Sequence, residues 1–325
     1  MRKALGLTCL LVALIAATTF WEWRAGDGPI KFLTAENLRN LLTWVGLFGV
    51  LSLAQALIIV TGGIDLSVGS VVALVAVSAA ALMDRGAGMH PAIAIPICLL
   101  MGAAIGLWHG LLITKVRLQP FVVTLCGLFF FRGIARLVTD DKSQGFGNSY
   151  PDLRWFGNGF VFDIIPAPLI VLIVLSVLMG AYLHFSPQGR HVFALGANEE
   201  AARFSGIRTD RLKIGAYVLA TLLTSFGGLL LAFKTNSLSP SAFGGFYELY
   251  AIAGAVLGGC SLRGGSGNVL GILIGASLIV VLRNLVNILA IPSQLEYVVI
   301  GGAILVGVGV DELFSRRKAT RTRTG

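Results

Sequence analysis

Residues 41–83 read LLTWVGLFGVLSLAQALIIVTGGIDLSVGSVVALVAVSAAALM, and they decide the fold. Two apolar runs, 41–61 and 67–83, lack the strict alternation of a half-buried strand. A helix of about 20 residues crosses a bilayer. The first run meets that length and the second falls short of it. Backbone polar groups cannot go unpaired in lipid, so runs of this kind are helices. Between them lies Thr61-Gly-Gly-Ile-Asp-Leu-Ser67, with Asp65 as the one charged residue of the stretch. A carboxylate in that setting needs a partner or water. The spacing predicts Asp65 as N-cap of a helix starting near Leu66, with Gly62 and Gly63 making the tight reversal before it. Direct contact between Asp65 and a substrate is the other reading of the same residue.

The pattern repeats along the chain. Apolar runs stand at 4–20, 41–61, 67–83, 91–114, 119–138, 166–185, 213–233, 247–260, 268–289 and 294–310. The composition agrees: 56% of residues are hydrophobic and 13% charged, against about 25% charged in a soluble domain. Mean hydropathy is +0.84. The expectation is an all-α integral membrane protein, one transmembrane domain over residues 1–325. It is a polytopic bundle of about ten spans, some of them broken at glycine-rich segments. The start of the chain, Arg2 and Lys3 before an apolar run, has the look of a signal peptide. Ala16, Ala17 and Thr18 make a poor cleavage site, so the reading is a retained first span.

The net charge of +9 does not point to nucleic acid, because apolar spans interrupt the basic residues and no continuous stripe forms. Their placement follows the membrane instead. With all runs crossing and the first residue inside, one side collects Arg2, Lys3, Lys115, Arg117, Arg190, Arg203, Arg208, Arg211, Lys213 and Arg263. The same side holds Arg316, Arg317, Lys318, Arg321 and Arg323 in a basic tail, 312–325. That is the positive-inside bias, and it predicts both termini in the cytoplasm. Residues 139–165 then form an outer loop, and 186–212 the largest inner loop.

That inner loop holds Asn198-Glu-Glu-Ala-Ala-Arg-Phe-Ser-Gly206. Asn198 suits an N-cap, and Glu199 and Glu200 fall in the first turn, where the helix dipole favours anions. Ala201, Ala202 and Arg203 favour helix, and Gly206 can end it. The result is a short inner helix exposing Ala201, Ala202, Phe204 and Ser205. A second dense segment, Gly254–Gly275 (GAVLGGCSLRGGSGNVLGILIG), places Gly267, Gly271 and Gly275 on one helix face, where backbones can approach closely. Gly258 and Gly259 before Cys260-Ser-Leu262 echo Gly62 and Gly63 before Ile64-Asp-Leu66, as two weakly related halves would. No GxxxxGK[ST] motif occurs, so the chain is not itself a P-loop ATPase.

These segments resemble a known family. Glu200-Ala-Ala-x3-Gly206 within ALGANEEAARFSGI resembles the loop by which ABC permeases grip their ATPase. GGIDLSVGS (62–70), QPFVVT (119–124) and YELYAIAGAVLGGCSLRGGSGNVLGILIG (247–275) are similar to segments of the ribose, xylose and arabinose branch of those permeases, in the same order. The resemblance implies a bacterial inner-membrane permease subunit of an ATP-driven sugar importer. Its coupling residues would be Asn198, Glu199, Glu200, Ala201, Ala202, Arg203 and Gly206. Implied partners are ABC ATPase subunits that use ATP and Mg, a second permease subunit in a homo- or heterodimer, and a periplasmic or lipid-tethered sugar-binding protein. The chain itself would bind no cofactor and perform no catalysis. Two positions depart from the family pattern: Tyr250, where an acidic residue is usual, and Arg283, where asparagine is frequent; Asn284 and Asn287 match.

Candidates for the translocation path or its hinges are Gly62, Gly63, Asp65, Ser67, Gln119, Phe121, Thr124, Glu248, Gly258, Gly259, Asn284 and Asn287. Interhelical hydrogen bonding is the ordinary use of such polar residues, and of Gln55. Glu248 and Glu296 stand near outer ends of spans, where solvent can reach them. The four cysteines, Cys9, Cys98, Cys126 and Cys260, form no CxxC pair and read as small buried hydrophobes. The histidines show no metal-ligand spacing. The competing function is an ion-coupled secondary transporter with Asp65 or Glu248 as coupling carboxylate; an intramembrane enzyme lacks a nucleophile–base or metal constellation.

Overall fold

The computed structural model describes residues 2–25, 30–83, 88–147, 149–292, 295–302 and 305. The basic tail and most of the 294–310 run lie outside the described residues.

Helices dominate. They are α1 (Arg2–Ala25), α2 (Ala35–Val60), α3 (Val68–Met83), α4 (Pro91–Thr114), α5 (Pro120–Val138), α6 (Pro151–Asn158), α7 (Ala167–Gly180), α8 (Pro187–Ala197), α9 (Glu199–Phe204), α10 (Thr209–Thr235), α11 (Tyr247–Leu257) and α12 (Val269–Ile288). A π-helical turn, Ala181–Phe185, extends α7. Seven described helices are long and apolar enough to cross a membrane; α3 and α11 are shorter apolar helices. The protein is thus an all-helical, multi-pass membrane bundle.

Helix α2 is the axis, buried from Val45 to Val60 and packed by α7, α10, α11 and α12. A helix surrounded on all sides carries no polar stripe, which is why its apolar run is unbroken. Helix α3, equally buried, lies against α4, α5 and α10. Helix α1 is peripheral and touches α12. Its Glu22 carboxylate accepts the N–H groups of Lys31 (3.1 Å) and Phe32 (3.0 Å), fastening the turn into α2.

Small residues set the closest approaches. Along α4, Gly102, Gly106 and Gly110 face Ser225, Thr221 and Ile214 of α10; a methyl on Gly110 would lie 2.8 Å from the Ile214 Cα. Gly258 of α11's end and Gly271 of α12 meet backbone to backbone, and a methyl on Gly258 would sit 2.6 Å from the Ile272 Cα. The close approach at Gly271 and Gly275 follows the expectation from sequence, but Gly267, expected on the same helix face, precedes α12; the α4–α10 contact was not anticipated.

Several expectations change. The 186–212 connection is more helical than expected: besides the short helix anticipated at 198–206, it holds α8 and the start of α10, which begins at Thr209. The 139–165 segment carries α6 and a two-strand hairpin, β1 (Phe160–Val161) with β2 (Ile165–Pro166). Helix α3 starts at Val68, so Asp65 does not cap it. The Ser67 carbonyl takes the first helical bond, from Val71 N–H (2.8 Å), and Asp65, two residues earlier, spends its side chain on Ser67 rather than on the N–H groups of the first turn. Cys98 and Cys260 are buried, whereas Cys9 and Cys126 are exposed on the bundle's outside. Apolar spans are covered by lipid there, so a cysteine in one need not face the core.

Candidate coupling surface and translocation segments

Helix α9 forms for local reasons. The Asn198 side chain accepts the Ala201 N–H (2.9 Å), satisfying one orphan donor of the first turn. Termination is by a Schellman motif: Gly206 N–H bonds Arg203 O (3.0 Å) and Ile207 N–H bonds Ala202 O (3.1 Å). Gly206 holds φ +82, a left-handed conformation that glycine enters without a Cβ penalty. Glu199 is tied to Lys213 (2.5 Å) and Arg203 (3.4 Å), while Asp210 pairs with Lys115 (2.9 Å) and Arg203 (3.5 Å). These pairs fix α9 against α10 and the 115–119 turn. Glu200, Ala201 and Phe204 point outward, Phe204 at 85% exposure; Ala202 is buried, against expectation, because α8 and α10 pack against this short helix. A groove of about 560 Å³ runs between the 113–120 turn and α9, lined by Arg117, Gln119, Glu199, Glu200 and Arg203 among others. Gln119, a path candidate by sequence, lines this groove beside α9.

Immediately beneath lie the glycine breaks. Gly62 holds φ +84 and closes α2 through its N–H to Ile59 O (2.9 Å); Gly63 needs no such conformation. Gly265 N–H bonds Val60 O (2.9 Å), and a methyl on Gly264 would lie 2.9 Å from the Gly62 Cα. Gly196 and Ala197, at the end of α8, abut Val60 and Gly265. The two echoing segments thus touch each other and the segment leading into α9. Gly259 (φ +95) makes the turn out of α11, with Gly258 as its C-cap.

Within the bundle, Asp65 is 2% exposed, and its Oδ1 accepts both the N–H (2.7 Å) and the hydroxyl (2.6 Å) of Ser67. The Gln55 amide, oriented to satisfy both its atoms, donates to Asp65 O (3.2 Å) and accepts from Asp65 N (3.1 Å). Thr124 donates to Ile64 O (3.1 Å), pinning α5 to the break. Glu248 is not solvated, as its position suggested; it is 8% exposed. Its carboxylate lies against Gly69 in the first turn of α3, where an added methyl would collide with Oε2, and it faces the positive charge of Arg132. Arg132 in turn donates to Pro240 O (3.1 Å) and Phe243 O (2.5 Å). Buried His109 and Tyr217, which sequence reasoning passed over, lie beside this region with ring centroids 6.2 Å apart. Their polarity inside apolar runs was the available signal. Phe121 is exposed on α5.

Asn284 and Asn287 stand apart, at the opposite end of α2. Asn284 and Asn37 exchange amide hydrogen bonds (2.7 and 3.2 Å), while Asn287 is exposed. Glu296, also expected in solvent, is paired with Arg283 (2.7 Å) and accepts the Tyr250 hydroxyl (3.1 Å).

A multi-pass helical bundle with glycine-broken inner segments is the architecture of a membrane permease. Residues 37–308 match the family model described as "Branched-chain amino acid transport system / permease component", and the chain belongs to that family. Among its relatives is the ribose import permease protein RbsC of Bacillus subtilis, 40% identical over 282 residues, covering 86% of each chain. RbsC of Escherichia coli K12 is 37% identical over 283 residues, 86% of this chain and 87% of the other. The xylose transport system permease protein XylH of the same bacterium is 29% identical over 367 residues, covering 95% and 92%. No solved structure matches the chain.

Proposed function

We propose that this chain is the membrane-spanning subunit of an ATP-driven importer for a monosaccharide or similar polyol. The observation carrying the proposal is α9, a doubly capped helix at one end of the bundle with Glu200 and Phe204 presented outward. That end would face the cytoplasm, with both termini on the same side, as the basic residues of the 186–213 segment favour. A separate ABC ATPase, using ATP and Mg, would dock on α9. Its movement would pass through Gly196 and Ala197 to the breaks at Gly62 and Gly264, tilting spans between two access states. The chain would work beside a second permease subunit, with a secreted or lipid-tethered binding protein delivering the sugar. The sugar assignment rests on the ribose and xylose permeases that match most of the chain.

Reconstitution tests this. Vesicles holding the permease, its ATPase and its binding protein should accumulate labelled ribose or xylose only with ATP, and a protonophore should leave uptake unchanged. Uptake that collapses with the protonophore and proceeds without ATP would instead make Asp65 or Glu248 an ion-coupling carboxylate.

A further inference from the structure

Arg283 is an ionisable residue inside a transmembrane helix, and such residues face a bundle interior or a water-filled path rather than lipid. Its surroundings are specific. The guanidinium carbon lies 4.9 Å from the Tyr250 ring centroid and 5.4 Å from that of Phe48, so the cation rests on a pair of aromatic rings that are themselves in edge-to-face contact, 5.6 Å apart. Its Nε donates to Glu296 Oε1 (2.7 Å), and the same oxygen accepts the Tyr250 hydroxyl (3.1 Å). Four elements contribute: α2, α11, α12 and the helical turn at 296–302. Tyr250 and Arg283 are thus in direct contact.

The pair is incompletely used by the protein. Arginine offers five N–H donors and a carboxylate two acceptor oxygens. Among the described residues, only Nε of Arg283 and Oε1 of Glu296 have hydrogen-bond partners. The side chains keep 32% and 19% of their surface accessible. The two Arg283 NH₂ groups and Glu296 Oε2 are therefore left as donors and acceptor on one ion pair. Adjacent hydroxyls on a sugar ring, each both donor and acceptor, complement that arrangement, and Tyr250 fixes the carboxylate's direction. The cluster lies far from α9: Asn37, bonded to the neighbouring Asn284, and Val60, at the α9 end, are about 35 Å apart at 1.5 Å per residue along α2.

We propose that Arg283 and Glu296, oriented by Tyr250 and Phe48, form a contact site for the vicinal hydroxyls of the solute at the end of the bundle opposite α9. The choice of a sugar as solute rests on the importer reading above. The site would be weak and would act by selecting among hydroxylated solutes as they enter. Tyr250 and Phe48 are positioning residues; the charged pair makes the contact.

Saturation-transfer NMR on the full-length chain in nanodiscs, with D-ribose and D-xylose as probes, tests the site directly. The unsubstituted protein should transfer saturation to sugar ring protons. Tyr250→Phe keeps both rings and loses one hydrogen bond, so apparent affinity should fall about 2- to 10-fold. The double variant R283Q/E296Q leaves no lone charge behind; it should keep its melting midpoint and lose the signal by about tenfold or more. No transfer to either sugar in the unsubstituted protein would overturn the proposal. So would an undiminished signal in the double variant, including the case where only self-association changes and the face proves to be a contact between two copies. Co-purification with the ATPase reports separately on the importer reading, since none of these substitutions lies near α9.

Discussion

At the scale of single residues, burial inside the bundle governs what a polar group must do. Tyr217 is 1% exposed, and its hydroxyl has no hydrogen-bond partner among the described residues. An unsatisfied buried hydroxyl costs about 1–3 kcal/mol. Tyr217→Phe should therefore hold or raise the melting midpoint of the detergent-solubilised protein, where loss of a tyrosine hydroxyl elsewhere would lower it. A clear drop would mean that the hydroxyl is bonded. Residue identity was legible where chemistry was local: Asn198 and Gly206 announce a capped helix end, and the structure has it. It failed where partners come from afar. Glu248 looked like a solvated residue because nothing nearby in sequence reveals Gly69 and Arg132, and Ala202 looked exposed because the packing of α8 and α10 against α9 cannot be read from the short helix itself.

At the scale of elements, apolar run length located the spans, since lipid permits little else than a helix. The short runs at 67–83 and 247–260 were legible as partial helices from their flanking glycines. What the runs could not give was pairing. The spacing of Gly267, Gly271 and Gly275 was noticed because glycine crowds that region, whereas Gly102, Gly106 and Gly110 carry the same spacing in a plainer run. These positions make a sharp comparison. A methyl at Gly106 would fall 2.7 Å from the Val218 Cα, and overlap of that kind costs about 1–3 kcal/mol. Gly133 on α5 has nothing within 4 Å, so alanine there brings only its helix-propensity gain of about 1 kcal/mol. Gly106→Ala should lower the melting midpoint and Gly133→Ala raise it; equal shifts would contradict the close α4–α10 contact.

For the whole molecule, the arrangement separates two tasks. One end of the α2 axis gathers α9, the groove beside it and the three glycine segments; the other gathers the Arg283–Glu296 pair and the Asn37–Asn284 bonds. A charged fraction of 13% leaves few places for a water-soluble partner to hold, and α9 is the most defined of them. The central claim is that α9 is where an ATPase takes hold. Glu200→Lys reverses an exposed charge, and Gly206→Pro cannot adopt the φ of +82 that ends the helix. Co-purification of the ATPase with the double variant measures the claim most directly. Retention should fall at least about tenfold, with an unchanged melting midpoint for the permease. Undiminished assembly of that double variant with the ATPase would contradict it.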